Sequence, residues 1–203
     1  KVLHQFRRNT KSGSRKNIAA HYDLGNDLFS LFLDPSMMYS SAVYDRPDLS
    51  LEQAQERKLQ LICEKLQLTE SDHLLEIGTG WGGMAIHAAQ HYGCRVTTTT
   101  ISQEQFNLAS ERVRAAGLED RISVLLKDYR DLDGQFDKLV SIEMIEAVGH
   151  DFYDTYFGKC AALLKDDGLM LLQAITIADQ RYDAARKSVD FIQRYIFPGS
   201  CIP

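Results

Sequence analysis

The sequence predicts a doubly wound α/β fold, a mostly parallel sheet preceded by helices. Three observations predict it. Beyond Thr69, short apolar runs alternate with stretches at helical spacing, the pattern of βαβ units around a parallel sheet. The first of those runs, HLLEI, passes straight into GTGWGG, a glycine-rich strand-to-helix turn of Rossmann-like type. Finally, no repeat, low-complexity tract or Pro/Gly linker interrupts the chain. Its four prolines, Pro35, Pro47, Pro198 and Pro203, stand toward the ends, so the stretch from 47 to 198 reads as one continuous fold.

In chain order, Asn17 to Leu33 carries Ile18, Tyr22, Leu28, Phe29 and Phe32 at helical spacing and stops before Asp34-Pro35, which predicts one or two short helices. An aromatic loop, MMYSSAVY, follows. Ser50 and Gln53 form a capping box at the head of a helix running through Leu59, Ile62 and Leu66. Strands are predicted at His73–Ile77, Arg95–Thr100, Ile122–Leu126, Phe136–Ile142 and Leu169–Ile175. Helices are predicted between them over Gly82–Tyr92, Ser102–Ala116 and Asp151–Leu164, the last with Asp151 as its N-cap. Residues 1–68 are expected to form a basic arm and a helical lid or substrate region, and 69–203 a nucleotide-binding core lacking its last strands. Ligands of such sheets bind beyond the carboxyl ends of the strands, so the loops there carry the chemistry.

The chain has 203 residues, of which 44% are hydrophobic and 25% charged, enough apolar side chains for one sizeable core. Its net charge of −5 argues against nucleic acid as a partner. One stretch departs from that average. Lys1 to Asn17 holds six cationic residues and no acidic one, which suits an anionic membrane surface and equally a solvated arm. Cys63, Cys94, Cys160 and Cys201 lack the spacing of a zinc site or redox dithiol, so no metal and a reducing compartment are expected. No apolar run approaches the roughly 20 residues of a membrane span, and no signal sequence opens the chain. The expectation is a cytoplasmic protein that touches membranes peripherally.

LLEIGTGWGG places Gly78, Gly80, Gly82 and Gly83 where the backbone must turn tightly and approach a ligand. It also fits G-x-G-x-x-G, so a dinucleotide oxidoreductase competes. Two features decide between them. Glu76, two residues before the first glycine, would repel a pyrophosphate but attract the ammonium of a methionine moiety. A dinucleotide site also wants an acid about 20 residues past the glycines. Here TTTTISQEQ has none before Glu104, while Thr100 and Gln105 offer neutral hydrogen bonds to a ribose or methionine group. The third strand ends in LLKDYRDL, where Asp128 can accept from an adenine amino group and Tyr129 can stack on the ring. Together these favour S-adenosylmethionine, and with it the class I methyltransferase version of the fold.

HYDLGNDLFSLFLDPSMMYSSAVY, EIGTGWGG, TTTTISQEQ, DYRDL, SIEMIEAVG and RYIFPGSCIP follow one another in an order that resembles the cyclopropane-fatty-acyl-phospholipid synthase and mycolic acid cyclopropane synthase family. The likeness covers nearly the whole chain, and its HYDLGNDLF, MMYSS and YIFPG segments are specific to that family. It implies attack by a cis double bond of an unsaturated phospholipid acyl chain on the methyl of S-adenosylmethionine. The resulting carbocation loses a proton from the new methyl group to a bound bicarbonate, which closes a three-membered ring. The resemblance puts Tyr39, Ser40, Gly78, Gly80, Thr100, Gln105, Tyr129 and Arg130 on cofactor contacts, with Thr79 between the glycines. It makes Glu146 the residue that organises bicarbonate or replaces it as base, and Ile175 one whose carbonyl contacts the anion. Ser41, Gln173 and Tyr22 join them as catalytic candidates, Tyr22 with His21 in a tunnel or lid.

The sequence departs from the family pattern at Ser41, where many members have Cys, at Ala147, where many have His, and at Gln173, where His is usual. A Gln amide can donate a hydrogen bond to an anion but cannot titrate near neutral pH. Gln at that position resembles the branch that includes plant cyclopropane synthases, and family members continue past YIFPGSCIP. Phe29, Phe32, Tyr44, Phe152, Tyr156, Phe157, Phe191 and Tyr195 are compatible with an acyl tunnel and with plain core. Three alternatives stay open: a methyl- or methylene-branched lipid product, N-methylation of a small amine, and a non-catalytic S-adenosylmethionine-binding scaffold. A homodimer is compatible with each.

Overall fold

The structure, a computed structural model, describes residues 9–11, 13–14, 17–18, 26–197 and 199–203. Tyr22, His21 and most of the basic arm lie outside the described residues. Ahead of the sheet, the described residues include α1 (Asn26–Ser30) and α2 (Leu51–Leu66). Then come β1 (His73–Ile77), α3 (Gly83–Tyr92), β2 (Arg95–Thr100), α4 (Gln103–Ala115), β3 (Ile122–Leu126) and β4 (Phe136–Ile142). The order ends with α5 (Tyr153–Leu163), β5 (Leu164–Gln173), α6 (Asp179–Ala185) and a π-helical turn at Ile192–Ile196.

The five strands form one parallel sheet in the order β3-β2-β1-β4-β5. The chain starts at the centre, winds outward to β3, then crosses back to β4, so the switch point lies beyond the carboxyl ends of β1 and β4. Period-two alternation divides the core between the two faces. Leu74 and Val140 join Leu59, Ile62, Met84 and Ala88 on one face, while Leu75 and Leu139 join Tyr156, Cys160 and Leu163 on the other. Each fully buried Leu, Ile or Met side chain contributes about 1.5–3 kcal/mol. From α2, Leu59, Ile62, Cys63 and Leu66 pack into the first cluster.

The capping box forms as expected: the Ser50 hydroxyl accepts from the Gln53 N–H, and the Gln53 side chain accepts from the Ser50 N–H. Strands β1 to β4 have the expected bounds. The last strand differs, starting five residues earlier than Leu169 and ending at Gln173. It begins early because Leu164 pairs with Phe136 before a register shift brings Leu169 opposite Lys138. It ends early because the Ile175 N–H is diverted to the Glu146 carboxylate. Asp151 is not an N-cap either: it sits in a 3₁₀ turn, His150–Phe152, that leads into α5.

Candidate active site

A cavity of about 580 Å³ opens beyond the carboxyl ends of β1 and β4. Its floor is the glycine turn. Gly78 and Gly80 have φ of +106° and +52°, a region that L side chains rarely adopt. Thr79 is tied down beneath them, its hydroxyl 2.7 Å from that of Thr98. Of the candidates named from sequence, Tyr39, Ser40, Glu76, Gly78, Thr79, Gly80, Thr100, Gln105, Asp128, Tyr129, Arg130, Glu146 and Ile175 all line this cavity. Ser41 and Gln173 stand beside it, joined to it through Glu143.

Glu76 lies on the Thr98 side of β1 and is buried, with Thr98 Oγ1 donating to its Oε2 at 2.6 Å. Burial pushes its carboxyl up to about 8, against the opposing effect of the Thr98 hydrogen bond. A ligand ammonium would reverse that shift by supplying the missing cation. At the tip of β2, Thr100 Oγ1 donates to Gln105 Oε1 at 2.7 Å, which fixes the Gln105 amide with its nitrogen left to donate.

At the end of β3, Asp128 is spanned by Arg130, whose Nε meets Oδ1 at 2.8 Å and whose Nη2 meets Oδ2 at 2.7 Å. Burial acts to raise the Asp128 carboxyl, but the Arg130 hydrogen bonds prevail and hold it below the usual range. Any adenine contact there shares a carboxylate that already carries a guanidinium. Arg130 Nη1 also donates to the Asn9 carbonyl, and Asn9 Nδ2 to that of Gly199, which draws both ends of the described chain over the cavity. Tyr129 stands edge-on to Tyr156, ring centroids 5.4 Å apart.

The MMYSS loop is pressed onto the glycine turn. Arg112 of α4 donates to the carbonyls of Pro35, Ser36 and Trp81, latching loop to turn. Phe29 of α1 packs on Trp81 with centroids 4.7 Å apart, and the Trp81 indole donates to Asn26 at 2.7 Å. From α2, Gln55 donates to the carbonyls of Met38 and Ser40, and Lys58 Nζ to the Ser40 hydroxyl at 2.7 Å. Lys58 is buried, and burial lowers its ammonium to about 8 against the attraction of Glu143 and Asp34. None of the eight aromatic residues proposed for an acyl tunnel lines the cavity. Phe29 and Tyr156 are core, because each is buried against other rings.

Sequence reasoning missed Lys58 and passed over Glu143. Glu143 Oε1 accepts from the Ser41 N–H at 3.0 Å, the Ser41 hydroxyl at 2.9 Å and Gln173 Nε2 at 2.8 Å. The available signal was its place directly after β4, at the carboxyl edge of the sheet. Glu146 is held differently: its Oε1 takes the Ile175 N–H, its Oε2 is buried without a partner among the described residues, and burial raises its carboxyl. Ser41 and Gln173 therefore direct these donors to a protein carboxylate.

The sequence profile described as "Mycolic acid cyclopropane synthetase" matches residues 9–203. The chain belongs to that family. It is 49% identical over 184 residues to the cyclopropane-fatty-acyl-phospholipid synthase of Escherichia coli, covering 90% of this chain and 46% of that protein. It is 43% identical over 203 residues to the tuberculostearic acid methyltransferase UfaA1 of Mycobacterium tuberculosis, covering 96% and 47%. The chain thus spans about half the length of these curated relatives. Among solved structures, mycolic acid cyclopropane synthase CmaA1, complexed with SAH and CTAB, superposes with a TM-score of 0.86 at 35% identity, over 93% of this chain and 70% of that one. Mycolic acid cyclopropane synthases share this chain's sheet and its helices, which is the class I methyltransferase fold expected from the glycine turn.

Proposed function

We propose that the protein transfers the methyl group of S-adenosylmethionine to a double bond of an unsaturated phospholipid acyl chain and closes a cyclopropane ring. One observation carries the reading. A single cavity joins the glycine turn and buried Glu76 to an apolar wall of Ile142, Met144, Ile175, Ile177 and Ile192, with Glu143 and Glu146 set into it. The cofactor, when bound, supplies an electrophilic methyl. Glu76 and the turn at Gly78, Thr79 and Gly80 hold its methionine part, Thr100 and Gln105 its ribose, and Asp128, Tyr129 and Arg130 its adenine, while Tyr39 and Ser40 close over it. The apolar wall receives the acyl chain and keeps water from a cation that water would trap. The names of the relatives support a lipid substrate.

Among the described residues no helix is long and apolar enough to cross a membrane. Leu31 and Phe32, 82% and 52% exposed at the end of α1, are suited to peripheral contact with a lipid surface, from the cytoplasmic side in this reading. The test is product analysis with the intact protein, S-adenosylmethionine and vesicles of unsaturated phospholipid. Mass spectrometry should show a gain of one methylene and proton NMR the ring hydrogens; an unchanged lipid refutes the proposal. A methyl- or methylene-branched product is the second reading. It is supported by the similarity to UfaA1, which is named a methyltransferase and not a cyclopropane synthase, and NMR signals of a branch in place of a ring would establish it.

A further inference from the structure

We infer that Glu143 is the base that takes the proton lost by the acyl cation, an assignment that rests on the proposed methylation of a double bond. Glu143 holds φ at +48°, a left-handed conformation that a non-glycine residue keeps only where the surroundings enforce it. Here they do: its N–H donates to the Gln173 carbonyl at 2.8 Å, and its Oε1 receives the three donors of Ser41 and Gln173. One oxygen is thereby saturated and the carboxylate fixed in direction. The other, Oε2, takes no hydrogen bond from the described residues, is not among the buried unpartnered atoms, and belongs to a side chain that lines the cavity. A pinned carboxylate with one open oxygen facing an apolar chamber is the geometry a positioned base needs. Glu146 contrasts with it, because its Oε1 is committed to Ile175 and its Oε2 is closed off from solvent.

The balance of the step is simple. The electron pair of the double bond forms a carbon–carbon bond to the methyl group, and the sulfur–methyl pair returns to sulfur, which leaves as the neutral thioether. A cation remains on the adjacent carbon. Glu143 Oε2 accepts a proton from the new methyl group, the freed carbon–hydrogen pair becomes the third ring bond, and the proton then passes to solvent. Ser41 and Gln173 act as positioning residues through Oε1. The carboxylate stands in for bicarbonate, so turnover does not require the free anion.

E143Q keeps an acceptor for Ser41 and Gln173 but presents an amide to the cavity, and E143G suits the positive φ, so the two variants fail to fold for different reasons if at all. In the intact protein both should bind S-adenosylhomocysteine as the wild type does while kcat falls by about 10²–10⁴-fold. E143D should recover part of the loss, and with a trideuteromethyl donor it should show a larger isotope effect than the wild type. Stripping bicarbonate should leave the wild-type rate unchanged. E143Q or E143G turning over at the wild-type rate overturns the assignment alone, as does a wild type that stops without bicarbonate. A wild type that leaves unsaturated phospholipid unmodified overturns the acyl reading and this assignment together.

Discussion

Adding one methyl group at Gly83 should unlatch the site. A Cβ built there would sit 2.6 Å from the Ser36 carbonyl oxygen and 2.9 Å from Met38 Sδ, where ordinary contact begins near 3.4 Å. Met38 is flexible, but Ser36 cannot yield cheaply. Its carbonyl accepts from Arg112 at 3.0 Å, and its N–H and hydroxyl are both held by Asp34, at 2.9 and 2.8 Å. Overpacking against such a fixed neighbour costs about 1–3 kcal/mol. At about 2–4 °C per kcal/mol for a chain of this size, G83A should lower the melting temperature by about 2–12 °C. Since the displaced loop carries Tyr39 and Ser40, calorimetric affinity for S-adenosylhomocysteine should fall in the same variant. G117A is the control: nothing lies within 4 Å of its added Cβ and it is away from the cavity, so only the strain of φ +67°, about 1–2 kcal/mol, should register, in melting and not in binding. If G83A melts and binds like the wild type, the loop does not bear on the turn and the latch is wrong.

The remaining predictions concern buried charge. Because burial raises the Glu76 carboxyl from 4.5 to about 8, the folded protein holds a proton there that the unfolded chain has released. Glu76 therefore makes the ligand-free protein lose stability as pH rises between those values, by up to about 1.4 kcal/mol per pH unit, a slope that E76Q should lack in urea unfolding. Binding of a ligand ammonium at pH 7 should expel that proton, measurable as a buffer-dependent binding enthalpy that disappears in E76Q. At Lys58, replacement by Met relieves the burial of an ammonium but removes the donor to Ser40. K58M should melt no lower than the wild type, and about tenfold to hundredfold weaker binding of S-adenosylhomocysteine should accompany the loss of a charge-assisted bond of about 1.5–3 kcal/mol. Unchanged affinity would show that Lys58 does not act on the site.

How far the sequence discloses this molecule depends on the range of the interaction concerned. Strands β1 to β4 were legible because each is a short apolar or β-branched run bounded by turn residues, and the Ser50–Gln53 cap because its partners lie three residues apart. The limits of β5 were not, since they are set by a register shift opposite Phe136 and by the pull of Glu146 on Ile175. Lys58 reads as one more polar position on an amphipathic helix, and only the folded loop above it reveals a buried ammonium. Glu143 was hidden for the same reason: its donors come from residues 102 and 30 positions away. The left-handed backbone at Glu143, a conflict of the kind that concentrates at functional sites, became visible only in the folded chain.

The most direct test is to titrate the intact protein with S-adenosylhomocysteine and, separately, with NAD. Saturable binding of the thioether nucleoside at one site, weakened by G83A and absent for NAD, is what a carboxylate-guarded glycine turn predicts. NAD filling that crevice, with the thioether nucleoside ignored, would contradict the account at its root.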